Sequence, residues 1–258
     1  MCLFYKIFTK YGGKIIIKVK QTKYLYTLDH NTGQYISYFC VISDNNNCYS
    51  EDNGGHTLST IVDKLSSYGY EVSWEVLNAS DFGVPQNRER IIIIASKRGK
   101  FDFSAVGKHP KVRMVEFLDK SGNFEYLDKD TYTLLENPKI QNSGLIFAGY
   151  RNKSIRKTGI RPGTENLSRV HKQPNRIYSI YGVHPTLSSQ ETSGRYFVLT
   201  EDKHVRKLTL NECWRLMGFP DTYKKISPIT EQYKQLGNSV CIPMISELAQ
   251  EIKKQLFN

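Results

Sequence analysis

Gln86-Asn87-Arg88-Glu89-Arg90 leads straight into Ile91-Ile92-Ile93-Ile94, and this junction of charge and apolar chain organises everything around it. Four consecutive isoleucines predict a buried strand, since β-branched side chains are stiff and pack well on a pleated surface. Two arginines at its mouth are an odd companion for such a strand. Side chains at i and i+2 of an extended chain point to the same side, so Arg88 and Arg90 can offer two parallel guanidiniums to one ligand. That fork suits a phosphate or a base carbonyl. A strand start with solvated flanking charges is the other reading, and on these residues alone both stand.

Upstream of the junction the pattern is regular. Leu58, Ile61, Val62 and Leu65 recur at i, i+3, i+4 and i+7 from His56 onward, and Gly69 is placed to stop the helix they predict. Val72, Trp74 and Val76 then alternate as a strand, followed by a loop over 78–87 and the isoleucine strand. Helix, strand, loop, strand is the closing part of an α/β sheet. Residues 1–47 hold strand-like pieces at 15–19 and 35–42 and a turn signal at Asn31-Thr32-Gly33.

The chain has 258 residues, enough for one large domain or two small ones with a real core. Apolar residues make up 39% and the mean hydropathy is −0.47, and no apolar run approaches the ~18 residues of a membrane helix. The opening Met1-Cys2-Leu3-Phe4-Tyr5-Lys6 is too short and too soon interrupted by lysine for a secretory signal. A cytoplasmic location is expected. The five cysteines, Cys2, Cys40, Cys48, Cys213 and Cys241, are odd in number and lack C-x-x-C spacing, which argues against a disulfide framework and against a zinc site.

Net charge is +11 and the isoelectric point is near 9.3, compatible with a polyanionic partner. Its distribution says more. Arg151, Lys153, Arg156, Lys157, Arg161, Arg169, Lys172 and Arg176 face the single acid Glu165 over 151–176. Gly159, Pro162, Gly163 and Pro174 interrupt the same stretch, so it reads as basic loop, suited to tracking a phosphate backbone. Residues 102–204 as a whole lack strong periodicity and are expected to form a separate, loop-rich lobe.

Regularity returns at Thr209, which with Glu212 makes a T-x-x-E capping box, while Leu210, Cys213, Trp214 and Met217 form one apolar face. Gly218 and Pro220 end that helix. Cys213 belongs to the apolar face, where burial raises a thiol's pKa and makes it inert. A last helix is expected after Pro243, with Ile245, Leu248, Ala249 and Ile252 on one side, preceded by the glycine-containing turn Gln235-Leu236-Gly237-Asn238-Ser239-Val240.

These residues resemble the DNA cytosine-5 methyltransferases of bacterial restriction-modification systems. Asp81-Phe82-Gly83-Val84-Pro85-Gln86-Asn87-Arg88-Glu89-Arg90 is similar to the family's Q-x-R-x-R block, Arg206-Lys207-Leu208-Thr209 through Met217-Gly218-Phe219-Pro220 to the block supporting the target-recognition domain, and Gln235 to Val240 to the closing block. The resemblance covers about residues 48–258 and implies an α/β fold: an incomplete Rossmann-like S-adenosylmethionine-dependent methyltransferase sheet plus a loop-rich, mixed target-recognition lobe. It implies four segments: a divergent 1–47, the closing part of the catalytic α/β domain at 48–104, a DNA target-recognition domain at 105–204, and returning helices at 205–258.

The resemblance also implies a chemistry. Carbon 5 of cytosine is methylated after the base is flipped out, held by its polar edge and attacked at carbon 6 by a thiolate. Arg90 would hold the base carbonyl, Arg88 would support the pocket or a phosphate, and Gln86 would order the loop. Asn238, Ser239 and Val240 would lie near the methionine part of S-adenosylmethionine, where backbone N–H groups can meet a carboxylate; helix capping is the other role for that turn. In the lobe, Arg161, Arg169, Lys172, Gln173, Asn175, Arg176, Gln190 and Arg195 suit double-stranded DNA, with Arg, Gln and Asn fitted to base edges. A cognate restriction endonuclease would act on the same site without touching this chain.

Departures from the family pattern are as informative. The family's nucleophile is a cysteine after a proline, and this chain contains no Pro-Cys pair. Where its Glu-Asn-Val block should fall, just before residue 48, stands Ser43-Asp44-Asn45, and no G-x-G-x-x-G turn follows a first strand. The expectation is the second half of an enzyme, inactive alone. It would be one polypeptide of a split methyltransferase completed by a second subunit, a truncated remnant, or a DNA-binding module without chemistry.

Overall fold

In the computed structural model, which describes residues 25–28, 35–43, 56–107, 109–153, 163–164, 166–189, 197–225 and 228–257, the apolar spacing after His56 becomes a helix and the isoleucine run a central strand. The first part of the chain runs β1 (Leu25–Leu28), β2 (Tyr35–Ser43), α1 (His56–Ser67), β3 (Glu71–Asn78), β4 (Gln86–Asn87) and β5 (Glu89–Ser96). The second runs β6 (Tyr132–Ile140), β7 (Ile146–Arg151), β8 (Arg176–Ser179), β9 (His184–Pro185), β10 (Phe197–Leu199), β11 (Val205–Lys207), α2 (Leu210–Arg215), α3 (Ile229–Gly237) and α4 (Ile242–Leu256). The strand anticipated at 15–19 lies outside the described residues. Among the described residues no helix is long and apolar enough to cross a membrane.

The chain divides into two compact units: the described residues of Met1–Asn78, Glu89–Lys108 and Met244–Asn258, and those of Ala79–Arg88 and His109–Pro243. In the first, an antiparallel sheet has the order β1-β2-β5-β3. The β3–β5 register runs from Glu71 opposite Ser96 to Asn78 opposite Glu89. Directly opposed residues share a face, so Val72, Trp74 and Val76 lie on the side of Ile91, Ile93 and Ala95. Leu58 and Leu65 of α1 bury themselves there, with Ile61, Val62, Tyr70 and Val72 around them. Trp74 and Val76 are only partly covered, at 37% and 36% exposure, because β3 lies at the edge of the described sheet. Gly69 ends α1 with a φ of +78°, the left-handed conformation a glycine adopts at low cost. The remaining face of β5 carries Arg90, Ile92 and Ile94, all buried. Each buried isoleucine contributes on the order of 2 kcal/mol.

The second unit holds strands that the weak periodicity over 102–204 does not announce. It contains a five-stranded sheet of order β11-β10-β8-β7-β6, with β10 parallel to β8 and the other pairs antiparallel. Three- and four-residue strands such as β10 and β8 are too short to display a period-two pattern, and β6 contains Pro138 and a register shift between Leu134 and Lys139. Phe147, Tyr178, Val198, Trp214, Leu216 and Met217 meet in its main core.

One local reading holds in detail. Thr209 Oγ1 accepts from the Glu212 N–H at 3.2 Å while Glu212 Oε2 accepts from the Thr209 N–H at 2.7 Å, the capping box of α2. The α3 helix was not anticipated: Ile229, Tyr233 and Leu236 give it an apolar spacing of i, i+4, i+7, and Gln232, Tyr233 and Leu236 are buried. Gln235 to Gly237 are therefore the end of a helix rather than part of a turn, and Asn238 is its C-cap.

Candidate functional site

Pro85 to Arg88 form the seam on which the second unit is assembled. Gln86 and Asn87 pair in parallel with His184 and Pro185, and the His184 N–H donates to the Pro85 carbonyl at 2.7 Å. Thr186 Oγ1 donates to the Asn87 carbonyl at 2.9 Å. The Gln86 side chain is fully buried, and its Nε2 donates to the carbonyl of Leu216, just past α2, at 3.3 Å. That hydrogen bond ties the loop to the block that begins at Arg206.

Arg88 and Arg90 are both buried, at 1% and 5% exposure, which removes the reading of solvated flanking charges. They do not continue a single strand: Arg88 falls between β4 and β5, so i, i+2 geometry does not govern the pair. The Arg88 guanidinium donates to the carbonyls of Leu187 at 3.3 Å, Gly237 at 2.8 Å and Ser239 at 2.8 Å. Gly237 is the last residue of α3, so a cation sits where the helix dipole is negative and exposed carbonyls need donors. Arg90 stands on β5 opposite Leu77, with Nη1 donating to the Glu89 carbonyl at 2.6 Å.

The closing block wraps the same point. The N–H groups of Asn238 and Ser239 donate to the carbonyls of Lys234 and Leu236, and Ser239 Oγ also donates to Leu236 at 2.7 Å. Those two N–H groups cap α3, the role the turn offered beside contact with a cofactor. Asn238 is half-buried, and Ser239 and Val240 are buried. Gly237 has a reason of its own, since a Cβ there would lie 2.1 Å from the Ser189 nitrogen and 2.3 Å from the Ser188 carbonyl carbon. Only a residue without a side chain lets those backbones cross. The sequence offered no signal for this contact beyond a glycine at a helix end.

The basic stretch is described in part. Arg161, Gln190 and Arg195 lie outside the described residues. Arg169 and Lys172 are exposed, Gln173 and Arg176 half-buried, and Asn175 buried at 8% exposure. The Arg176 Nε donates to the carbonyl of His171, whose ring stacks on Tyr150 at 4.0 Å between centroids. Arg206 and Glu212 form a two-pronged ion pair at 2.9 and 2.7 Å with both side chains buried, and Arg206 lies 4.0 Å over the Phe124 ring. The spacing of the T-x-x-E box announced Glu212; its partner could not be read from sequence.

Neither cysteine with a described side chain is placed to attack a substrate. Cys213 and Cys241 are buried at 0% and 1% exposure, and burial, with the Glu212 carboxylate next to it, holds the Cys213 thiol far above the ordinary range.

Three sequence blocks far apart in the chain thus meet on Gln86 and Arg88, and residues 44–254 match the family described as C-5 cytosine-specific DNA methylase. The chain belongs to that family. Among its curated relatives, the type II methyltransferase M.HhaI of Haemophilus parahaemolyticus is 32% identical over 227 residues, covering 84% of this chain and 63% of that protein. M.Bsp6I of Bacillus sp. (strain RFL6) is 32% identical over 223 residues, 82% of this chain and 64% of the relative. The chain therefore spans less than two thirds of the length of these two methyltransferases. Its α/β fold is similar to those of solved methyltransferases: EhMeth of Entamoeba histolytica, at a TM-score of 0.55, 14% identity, 86% of this chain and 63% of that one, and Dnmt2 of S. pombe, at 0.53, 18%, 86% and 66%.

Proposed function

We propose that this chain is the target-recognition and closing part of a DNA cytosine-5 methyltransferase, and that it transfers methyl groups only when joined to a segment carrying the cofactor loop and a Pro-Cys nucleophile. The reading is carried by the meeting of three family blocks on Gln86 and Arg88 in a chain without a Pro-Cys pair. The burial of Cys213 and Cys241 supports it, because neither side chain is open to a substrate.

Within the completed enzyme, S-adenosylmethionine supplies the methyl group. Residues of this chain fit one edge of its site. With the N–H groups of Asn238 and Ser239 committed to α3, contact falls to the half-buried Asn238 side chain and to Val240. Arg90 grips the carbonyl of the flipped cytosine; a guanidinium donates to that oxygen from a rigid fork and, in a buried setting, loses little to solvent screening. Arg169 and Lys172 meet the phosphates of double-stranded DNA, with Gln173 and Arg176 behind them.

Co-expression with a polypeptide bearing the Pro-Cys segment, followed by bisulfite sequencing of host DNA, tests the proposal. The expected result is 5-methylcytosine at one recurring sequence. A soluble, co-purifying pair that leaves the DNA unmodified would sink it. The exposed Arg169 and Lys172 also favour a second reading, a sequence-specific DNA-binding module without chemistry. Gel shifts over a range of salt, with and without competitor, decide that one: equal affinity for every sequence removes it.

A further inference from the structure

Arg88 is one of the largest fully buried side chains of the protein. All its described hydrogen bonds end on backbone carbonyls, and these come from two stretches 99 and about 150 residues downstream: Leu187 on one side, Gly237 and Ser239 on the other. A planar guanidinium holds its donors in fixed directions, so three carbonyls bound to it are fixed relative to one another. A lysine in the same place would concentrate its donors on one atom and could not span them.

The two stretches also press directly on each other. The Ser188–Ser189 backbone crosses Gly237 so closely that no Cβ fits between them. Close-packed contacts of this kind pass displacement rather than absorb it. At its other end the segment of Pro185 to Ser189 is fastened through β4, β9 and the Thr186–Asn87 hydrogen bond. On the far side, the turn beginning at Asn238 is held to α3 by its own N–H groups.

We propose that Arg88 is a positioning residue that couples the Pro185 to Ser189 segment of the recognition lobe to the closing turn Asn238 to Val240, so that engagement of DNA by the lobe is felt at the turn assigned to the cofactor. This rests on the reading of the chain as part of a cytosine-5 methyltransferase. The role differs from that of a ligand-binding arginine, since the guanidinium donates to three backbone carbonyls of the protein itself.

Hydrogen exchange on the full-length chain, with and without duplex DNA, is the test. In the wild type, DNA is expected to slow exchange about tenfold in peptides spanning 184–189 and also in those spanning 234–241. In Arg88→Lys the first protection remains and the second falls below about twofold. Equal transmission in Arg88→Lys, or a wild type that binds DNA with no change at 234–241, overturns the coupling. A wild type that binds no DNA overturns the functional reading instead. A variant-free measurement covers failure of Arg88→Lys to fold: in native-state exchange with rising urea, the two peptides of the wild type should lose protection at the same urea concentration, and separate openings would refute the coupling.

Discussion

The Arg88 guanidinium donates to the carbonyl oxygen of Gly237 at 2.8 Å across 149 residues of chain. It supplies a donor and a positive charge at the end of α3, and it does so from inside the block that the sequence marks most clearly. The same end of the helix is where the chain can tolerate no side chain.

Gly237→Ala should therefore be far more costly than an ordinary helix C-terminal substitution, where alanine is harmless or helpful. The added Cβ meets the Ser188–Ser189 backbone and not a flexible side-chain tip. Urea denaturation is expected to show a loss of about 2–3 kcal/mol; a neutral result would mean that the crossing of the two backbones is not as close as described.

The buried Arg206–Glu212 pair predicts a non-additive cycle. Arg206→Met leaves an uncompensated carboxylate in the interior and should cost about 3–5 kcal/mol. Arg206→Met with Glu212→Gln should recover a good part of that. The amide removes the charge and keeps one oxygen for one of the two N–H groups, Thr209 or Asp119, which the carboxylate now accepts from on separate oxygens at 2.7 and 2.8 Å, so the recovery is partial. Additive losses in chemical denaturation would contradict a paired, fully buried bridge.

Cys213 gives a pH dependence of definite sign. Its folded-state pKa is raised, by burial first and by Glu212 second, so its contribution to stability is intact below the ordinary thiol value of about 8.5 and declines as pH rises above it, where the unfolded thiol ionises and the folded one does not. The stability difference between wild type and Cys213→Ala should shrink between roughly pH 8 and 10. A difference that stays flat over that range would show the thiol to be accessible.

In the completed enzyme, Arg90→Ala should lower methyl transfer by about 10²- to 10³-fold while changing DNA affinity little. Single-turnover rates and anisotropy titrations on one preparation separate the two. Equal loss of both would count against a grip on the base.

Arg169 and Lys172 stand exposed on the basic stretch, and the phosphate contacts proposed for them would be sequence-independent. Substituting either by alanine should weaken all duplexes alike and reduce the salt dependence of binding by about one counterion each. Loss confined to one sequence would instead assign that side chain to a base edge.

Much of the architecture was legible because it rests on local repetition. The i, i+3, i+4, i+7 spacing from Leu58 to Leu65 gave α1, the isoleucine run gave β5, and Thr209 with Glu212 gave the cap of α2. The five-stranded sheet was not legible, since strands as short as Phe197–Leu199 carry too few alternations to register, and α3 was hidden by reading its last residues as a turn.

Sequence by itself determined the family blocks, the lack of a Pro-Cys pair and the basic stretch, because these depend on which residues are adjacent. What only the tertiary structure decided is what the paired arginines do. Residues two apart suggested a common fork, but a buried charge must find its partners wherever folding brings them. Arg88 finds carbonyls of Leu187, Gly237 and Ser239 while Arg90 stays on β5 opposite Leu77. Hydrogen bonds spanning 99 to 151 residues leave no periodic trace in a chain, and they are what turns three separate motifs into one site.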